Sequence, residues 1–198
     1  MQYLAHIRPA DSQEQTVAAH CLETAGLAAD YGTPAGISET AALAGILHDI
    51  GKLTADFNTY IREPNTFRRG ELDHSFAGAK YIQAIADRTA NKELQKTAAL
   101  IGRVILSHHG LHDWVTDDAD DPYHTRIAKE TYYAEITQNL HKAAWLPEIP
   151  AALECARAEI MPIRKKLREL SEHNADNGRK KESFAFTSVC WNGCCNPF

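Results

Sequence analysis

The chain has 198 residues, enough for one domain with a real core or at most two small ones. At 44% hydrophobic and 24% charged it is composed like a soluble globular protein. No apolar run approaches the roughly 18 residues that span a bilayer, and no charged-then-apolar leader opens the sequence, so a cytoplasmic protein without a membrane partner is expected. The net charge of −5 argues against a protein that coats nucleic acid over its whole surface, but not against one with a local basic groove.

Taken in chain order, the predicted elements are helical. Residues 11–32 carry Asp11 and Ser12 as candidate N-caps, an apolar stripe of Val17, Cys21, Ala25 and Ala28, and a stop at Gly32. The stretch "SETAALAGILHDIGKL", 38–53, has Ser38 as its cap and Leu43, Ile46, Leu47 and Ile50 at the spacing of a buried helix. Residues 54–72, with Pro64 and Gly70, predict a short helix and a loop. Helices follow over 73–89 and 92–110, the latter stopping at Gly110. The acidic segment "HDWVTDDADDPYH" reads as a loop. Two further helices are expected around 124–145 and 148–172, the second kinked at Pro162. No run alternates like a strand, so the fold class is all-α, with a domain over 1–175 and a polar loop and atypical tail over 176–198. The basic runs at Arg62, Arg68 and Arg69, at Arg164–Arg168 and at Arg179–Lys181 read first as solvated faces.

The five cysteines give no zinc pattern: Cys21 and Cys155 read as small core residues, and the C-x3-C-C of Cys190, Cys194 and Cys195 lacks a fourth ligand. The ten histidines are more informative. His20, His48–Asp49, His74 and His108–His109 place at least one ligand on each of four successive helical segments. A lone histidine near an apolar face is more often a satisfied core residue than a ligand, so His6, His112, His124, His141 and His173 are read as structural or surface residues. That reading weakens for a set recurring once per helix, twice beside another ligand. Imidazole and carboxylate together suit zinc, iron, manganese, nickel or cobalt rather than calcium.

Neighbours on a helix point about 100° apart, so the doublet His48–Asp49 is expected to flank a site rather than aim at one point. A carboxylate has two oxygens, which makes Asp49 the natural bridge between two ions, and two ions can serve both oxygens of an in-line phosphoryl displacement. Lys52, one turn on, either satisfies the helix end or holds positive charge near a phosphate. The segment "GILHDIGKL" is not a phosphate-binding loop, because five residues separate Gly45 from Gly51 and Leu53 stands where a hydroxyl would hold magnesium.

Together "AHIRP", "QTVAAH" (15–20), "LAGILHDIGK" (43–52), "DHSFAGAKY" (73–81) and "SHHG" (107–110) resemble the HD nuclease domain of the CRISPR type I helicase-nuclease, within the HD superfamily of metal-dependent phosphohydrolases. The order and spacing match over residues 1 to about 175. The resemblance implies an HD-domain helical bundle with a metal site between helices, cleaving single-stranded DNA as part of antiviral defence. By position, His20, His48 and Asp49 would hold one ion, and Asp49 would bridge to a second held by His74, His108 and His109. Asp49 and Lys52 would be catalytic. Two ions of iron, manganese, nickel or cobalt are expected, with magnesium and zinc behind them. Implied partners are single-stranded DNA, a CRISPR helicase and the type I surveillance complex. One departure stands out: the family's last ligand is an Asp in a late apolar run resembling "LVDAD", which this chain lacks. Asp176 lies in a polar stretch, and Asp117, Asp118, Asp120 and Asp121 come too early. The alternatives are a nucleotide phosphohydrolase and a catalytically impaired HD module.

Overall fold

The computed structural model describes residues 2–63, 65–68, 70–110 and 121–176, with the side chains of 174–176 excepted. The expected features at Pro64, Arg69, His112, Asp117, Asp118, Asp120, Arg179–Lys181 and the cysteine-rich tail fall outside these residues. The chain divides into two compact units, Met1–Ile160 and Met161–Phe198.

The first unit opens with a strand pair that the sequence reading missed. β1 (Leu4–Ile7) pairs antiparallel with β2 (Glu14–Thr16), His6 lying opposite Gln15. The turn between them uses Ser12 at φ 57, and Arg8 Nε donates to Asp11 Oδ1 at 2.8 Å. Asp11 and Ser12 therefore belong to this turn rather than to a helix cap. Thr16 takes the cap instead, its Oγ1 accepting from Ala19 N at 3.0 Å. α1 (Val17–Gly32) follows, with Val17 and Cys21 fully buried, and ends at Gly32 as expected.

α2 (Ser38–Leu47) is shorter than expected and is not capped by Ser38, whose hydroxyl donates to Ala29 O at 3.1 Å. Its N-terminus is satisfied by Glu159, whose carboxylate accepts from Glu39 N at 2.9 Å and Thr40 N at 2.8 Å. A carboxylate there also complements the positive end of the helix. A 3-10 turn over Ile50–Lys52 leads into α3 (Ala55–Arg62), capped by Thr54.

α4 (Phe76–Ala86) and α5 (Lys92–Leu106) pack against each other, α5 also against α2 and α4 against the Ile50–Lys52 turn. On α5 the buried positions Leu94, Ala98, Ile101 and Ile105 keep the helical period, and Asn91 Oδ1 caps the start by accepting from Glu93 N at 3.0 Å. The single helix expected around 124–145 is two, α6 (Pro122–Ile127) and α7 (Tyr133–His141), separated by Tyr132 in the left-handed region at φ 59. α8 (Ile149–Asp176) runs through Pro162 and past the expected end at 172, so Asp176 closes a helix rather than sitting in a loop. Within the first unit α8 buries Ile149, Leu153, Ala156 and Ile160. Cys155 falls off that face and is exposed, which corrects its reading as a core residue; Cys21 is buried as expected.

The core of the first unit gathers Leu43, Ile46, Leu47 and Ile50 with Phe76, Ile82, Ile101, Ile105, Tyr123 and Leu153. Fully burying one such aliphatic or aromatic side chain contributes about 1.5–3 kcal/mol. Leu47 and Ile50, both completely buried, flank His48–Asp49 and so pin the doublet at the edge of the core. In the second unit, Leu167 and Leu170 are exposed on α8. Among the described residues no helix is long and apolar enough to cross a membrane.

Candidate metal centre

The His48–Asp49 doublet does not lie inside a helix. α2 ends at Leu47, His48 keeps helical angles as the C-cap, and Asp49 turns out of the helix at φ −115, ψ 15. This break overturns the expectation that the two side chains must diverge by a helical step. His48 Nε2 and Asp49 Oδ2 converge to 3.2 Å.

Asp49 is the hub of the site and is only 2% exposed. Its Oδ2 lies 3.0 Å from His20 Nε2, 3.2 Å from His48 Nε2 and 2.8 Å from Lys52 Nζ. Its Oδ1 lies 3.3 Å from His74 Nε2 and 3.4 Å from His108 Nε2. His109 joins the second group through His74, Nε2 to Nε2 at 2.8 Å, as His20 joins His48 at 3.0 Å in the first. All the histidines singled out by their recurrence are thus brought together, each oxygen of Asp49 facing its own set. His20 comes from within α1; His74 precedes the start of α4, and His108 and His109 follow the end of α5.

The ring orientations are set by backbone carbonyls. His48 Nδ1 lies 2.7 Å from Gly45 O, and His108 Nδ1 lies 2.6 Å from Ile105 O. A carbonyl only accepts, so each Nδ1 carries a proton, and these bonds fix the ring so that Nε2 is the nitrogen turned toward Asp49. His74 is held by the segment before α4, where Asp73 Oδ2 accepts from Lys129 Nζ at 2.5 Å and Asp73 Oδ1 from Arg126 at 3.2 Å. Burial pushes the Asp73 carboxyl up, but the bond from Lys129 and the charge of Arg126 outweigh it and hold it below the ordinary range.

Buried polar groups that face one another without a hydrogen bond are unfavourable unless a cation lies among them. Asp49 Oδ1 and His108 Nε2 are both buried with no hydrogen-bond partner. Leaving such a group unsatisfied costs about 1–3 kcal/mol. Burial alone would raise the Asp49 carboxyl, yet His108, His20, His48 and His74 hold it well below the ordinary carboxylate range, so it is ionised. Burial, with His108 and His74 alongside, pulls His109 down to about 4, which leaves it neutral and able to ligate at pH 7.

The spacings fit divalent ions. Two donors each about 2.1 Å from one ion lie roughly 3.0–3.4 Å apart at right-angle to tetrahedral geometry. The separations of 3.0, 3.0 and 3.2 Å among His20, His48 and Asp49 Oδ2 match that span. So do those of 3.3 and 3.4 Å from Asp49 Oδ1 to His74 and His108. A donor set of imidazole with carboxylate suits transition ions.

Lys52, 4% exposed, points its ammonium at this hub: beyond Asp49 Oδ2 it reaches Ala5 O at 3.5 Å and His6 Nε2 at 3.4 Å. His6 is therefore at the site, against its reading as a structural or surface residue, with its ring centroid 4.7 Å from that of His20. Burial and the Lys52 charge lower it to about 4. β1 brings it there through its pairing with β2 and its packing on α1 and α3, and a strand of four residues leaves no period in the sequence to find it by. The remaining described histidines, His124, His141 and His173, are exposed. Asp121 pairs with Arg103 at 2.7 Å and caps α6 through Tyr123 N at 3.0 Å, so it serves structure.

A profile of the HD domain family matches residues 17–146, a stretch that holds His20, His48, Asp49, Lys52, His74, His108 and His109. No curated protein matches the chain. The chain belongs to the HD domain family, a match that supports a metal-dependent phosphohydrolase in general terms, and its His/Asp cluster has the donors to hold a divalent metal.

Proposed function

We propose that this chain hydrolyses phosphodiester bonds in single-stranded DNA, as the nuclease of CRISPR type I interference. The observation that carries the reading is the division of Asp49, with Oδ2 facing His20 and His48 and Oδ1 facing His74 and His108. That arrangement suits paired ions, and paired ions suit in-line displacement at phosphorus. The choice of DNA rests on the motif set from "AHIRP" to "SHHG" and its resemblance to the CRISPR nuclease domain. On this reading a helicase and the type I surveillance complex deliver the strand.

Iron, manganese, nickel or cobalt bound here would supply Lewis acidity and lower the pKa of a coordinated water. The protein's own residues do the rest. His20 and His48 would hold one ion and His74, His108 and His109 the other, with Asp49 shared between them. Asp49, ionised and buried, keeps the two sets in register. Lys52 holds a positive charge 2.8 Å from Asp49 Oδ2, where it stabilises the charge that develops on a phosphate. His6 and His109 are the exposed members of the cluster, so the strand reaches the buried carboxylate from their side.

The test is cleavage of circular single-stranded DNA with manganese, compared between the native chain and Asp49→Asn. Cleavage lost in the variant supports the proposal. Turnover of mononucleotides with DNA left intact would make the protein a nucleotide phosphohydrolase instead. Less than one bound ion and no hydrolysis would make it an impaired module that only binds.

A further inference from the structure

The two oxygens of Asp49 are unequally served. On the Oδ1 side His74 and His108 approach directly and His109 lies 2.8 Å from His74. On the Oδ2 side the approaching imidazoles are His20 and His48. The next imidazole on that side is His6, which is on the N-terminal hairpin and outside the stretch that matches the HD family.

The hairpin holds His6 firmly. Leu4 N donates to the buried Asn58 Oδ1 at 3.1 Å, Ala5 O accepts from Lys52 Nζ at 3.5 Å, and the register with β2 sets His6 opposite Gln15. One ligand atom from each of His6, His20 and Asp49 lies within 4.8 Å of the others. Two donors on opposite sides of one ion stand about 4.2 Å apart, so a small side-chain rotation closes the set. A cation already sits between two of these groups: Lys52 Nζ is 2.8 Å from Asp49 Oδ2 and 3.4 Å from His6 Nε2.

We propose that His6 is a third imidazole ligand for the ion on the Oδ2 side of Asp49, so that the N-terminal hairpin completes that half of the site. This inference rests on the two-ion reading of the cluster. It would place His6 beside His20 and His48 on the Oδ2 side, as His109 stands beside His74 and His108 on the Oδ1 side. It also makes the N-terminal strand part of the metal centre, so that docking of the hairpin and loading of that ion depend on each other.

Cobalt(II) titration of the full chain reads this without any turnover, through bound stoichiometry and the electronic spectrum. The native chain should take up two ions. His6→Ala should keep the step belonging to the His74 side and weaken the other by at least the ~10–100-fold that loss of a mere ligand-supporting bond causes. Circular dichroism checks that it folds. His6→Cys supplies a second readout: a thiolate ligand adds a sulfur-to-cobalt charge-transfer band beyond the native spectrum, with two ions still bound. Two ions bound equally well by His6→Ala, and no added band in His6→Cys, would overturn the assignment and leave His6 as an acceptor for Lys52. One ion in the native chain would overturn the two-ion reading and this inference with it.

Discussion

Gly51 packs so tightly against His74 that a methyl group at residue 51 would lie 2.0 Å from the His74 carbonyl oxygen. The contact joins the turn that carries Asp49 and Lys52 to the segment that carries His74. Backbone cannot yield there as the end of a flexible side chain can, so Gly51→Ala must push the two segments apart. The expected cost is about 1–3 kcal/mol or more, seen as a lower thermal midpoint. Uptake of manganese should fall as well, because His74 moves away from Asp49 Oδ1. Gly78 makes the matching contact on α4, 2.1 Å from Leu47 O by the same measure, and Gly78→Ala should destabilise the chain similarly.

Lys52 and the ions play separable parts. Lys52→Met removes the ammonium beside Asp49 Oδ2 but leaves every imidazole in place. Manganese stoichiometry should be retained, while the rate of phosphodiester cleavage falls by ~10²–10³, the scale of losing one preorganised charge-stabilising donor. A parallel loss of metal in equilibrium dialysis would mean that Lys52 supports the site rather than the reaction.

Asn58 is the anchor of β1. Asn58→Ala leaves the buried amide of Leu4 without an acceptor, an expected loss of about 1–3 kcal/mol in chemical denaturation. Amide exchange should accelerate at Leu4 and Ala5 before it does in α4 and α5, since the lost bond holds only the hairpin.

The pairing of Asp121 with Arg103 gives a pH dependence of definite sign. The bond from Arg103 holds Asp121 at about 2, against an ordinary 3.8. A carboxyl lowered on folding contributes stability in full above its unfolded value, and that contribution is lost as the pH falls through its folded value. Native chain and Asp121→Asn should therefore differ by a constant amount near neutrality. The difference should shrink between roughly pH 4 and pH 2, as followed by acid denaturation.

Much of this was legible in the sequence, for physical reasons that also mark where legibility stopped. The helical period of Val17, Cys21, Leu43, Ile46 and Leu47 reports burial on one face, and burial is what the fold delivers. The recurrence of His20, His48, His74 and His108 survives because each sits on, or within two residues of, a helix. The break at Asp49 was hidden, because Leu47 and Ile50 keep a helical spacing across it while the backbone leaves the helix. Gly51 was the available signal, and its meaning depends on His74, which only the fold brings near. His6 was hidden for a similar reason: nothing adjacent to it in the chain is a ligand, and its neighbour His20 is reached across a strand pair.

The most direct test of the account is a crystal structure of the manganese-loaded chain with anomalous scattering recorded at the manganese edge. Two peaks should appear, one within bonding reach of Asp49 Oδ2 and His20, the other of Asp49 Oδ1 and His74, with Asp49 between them. A single peak, chelated by both oxygens of Asp49, would contradict the bridging role on which the proposed chemistry depends.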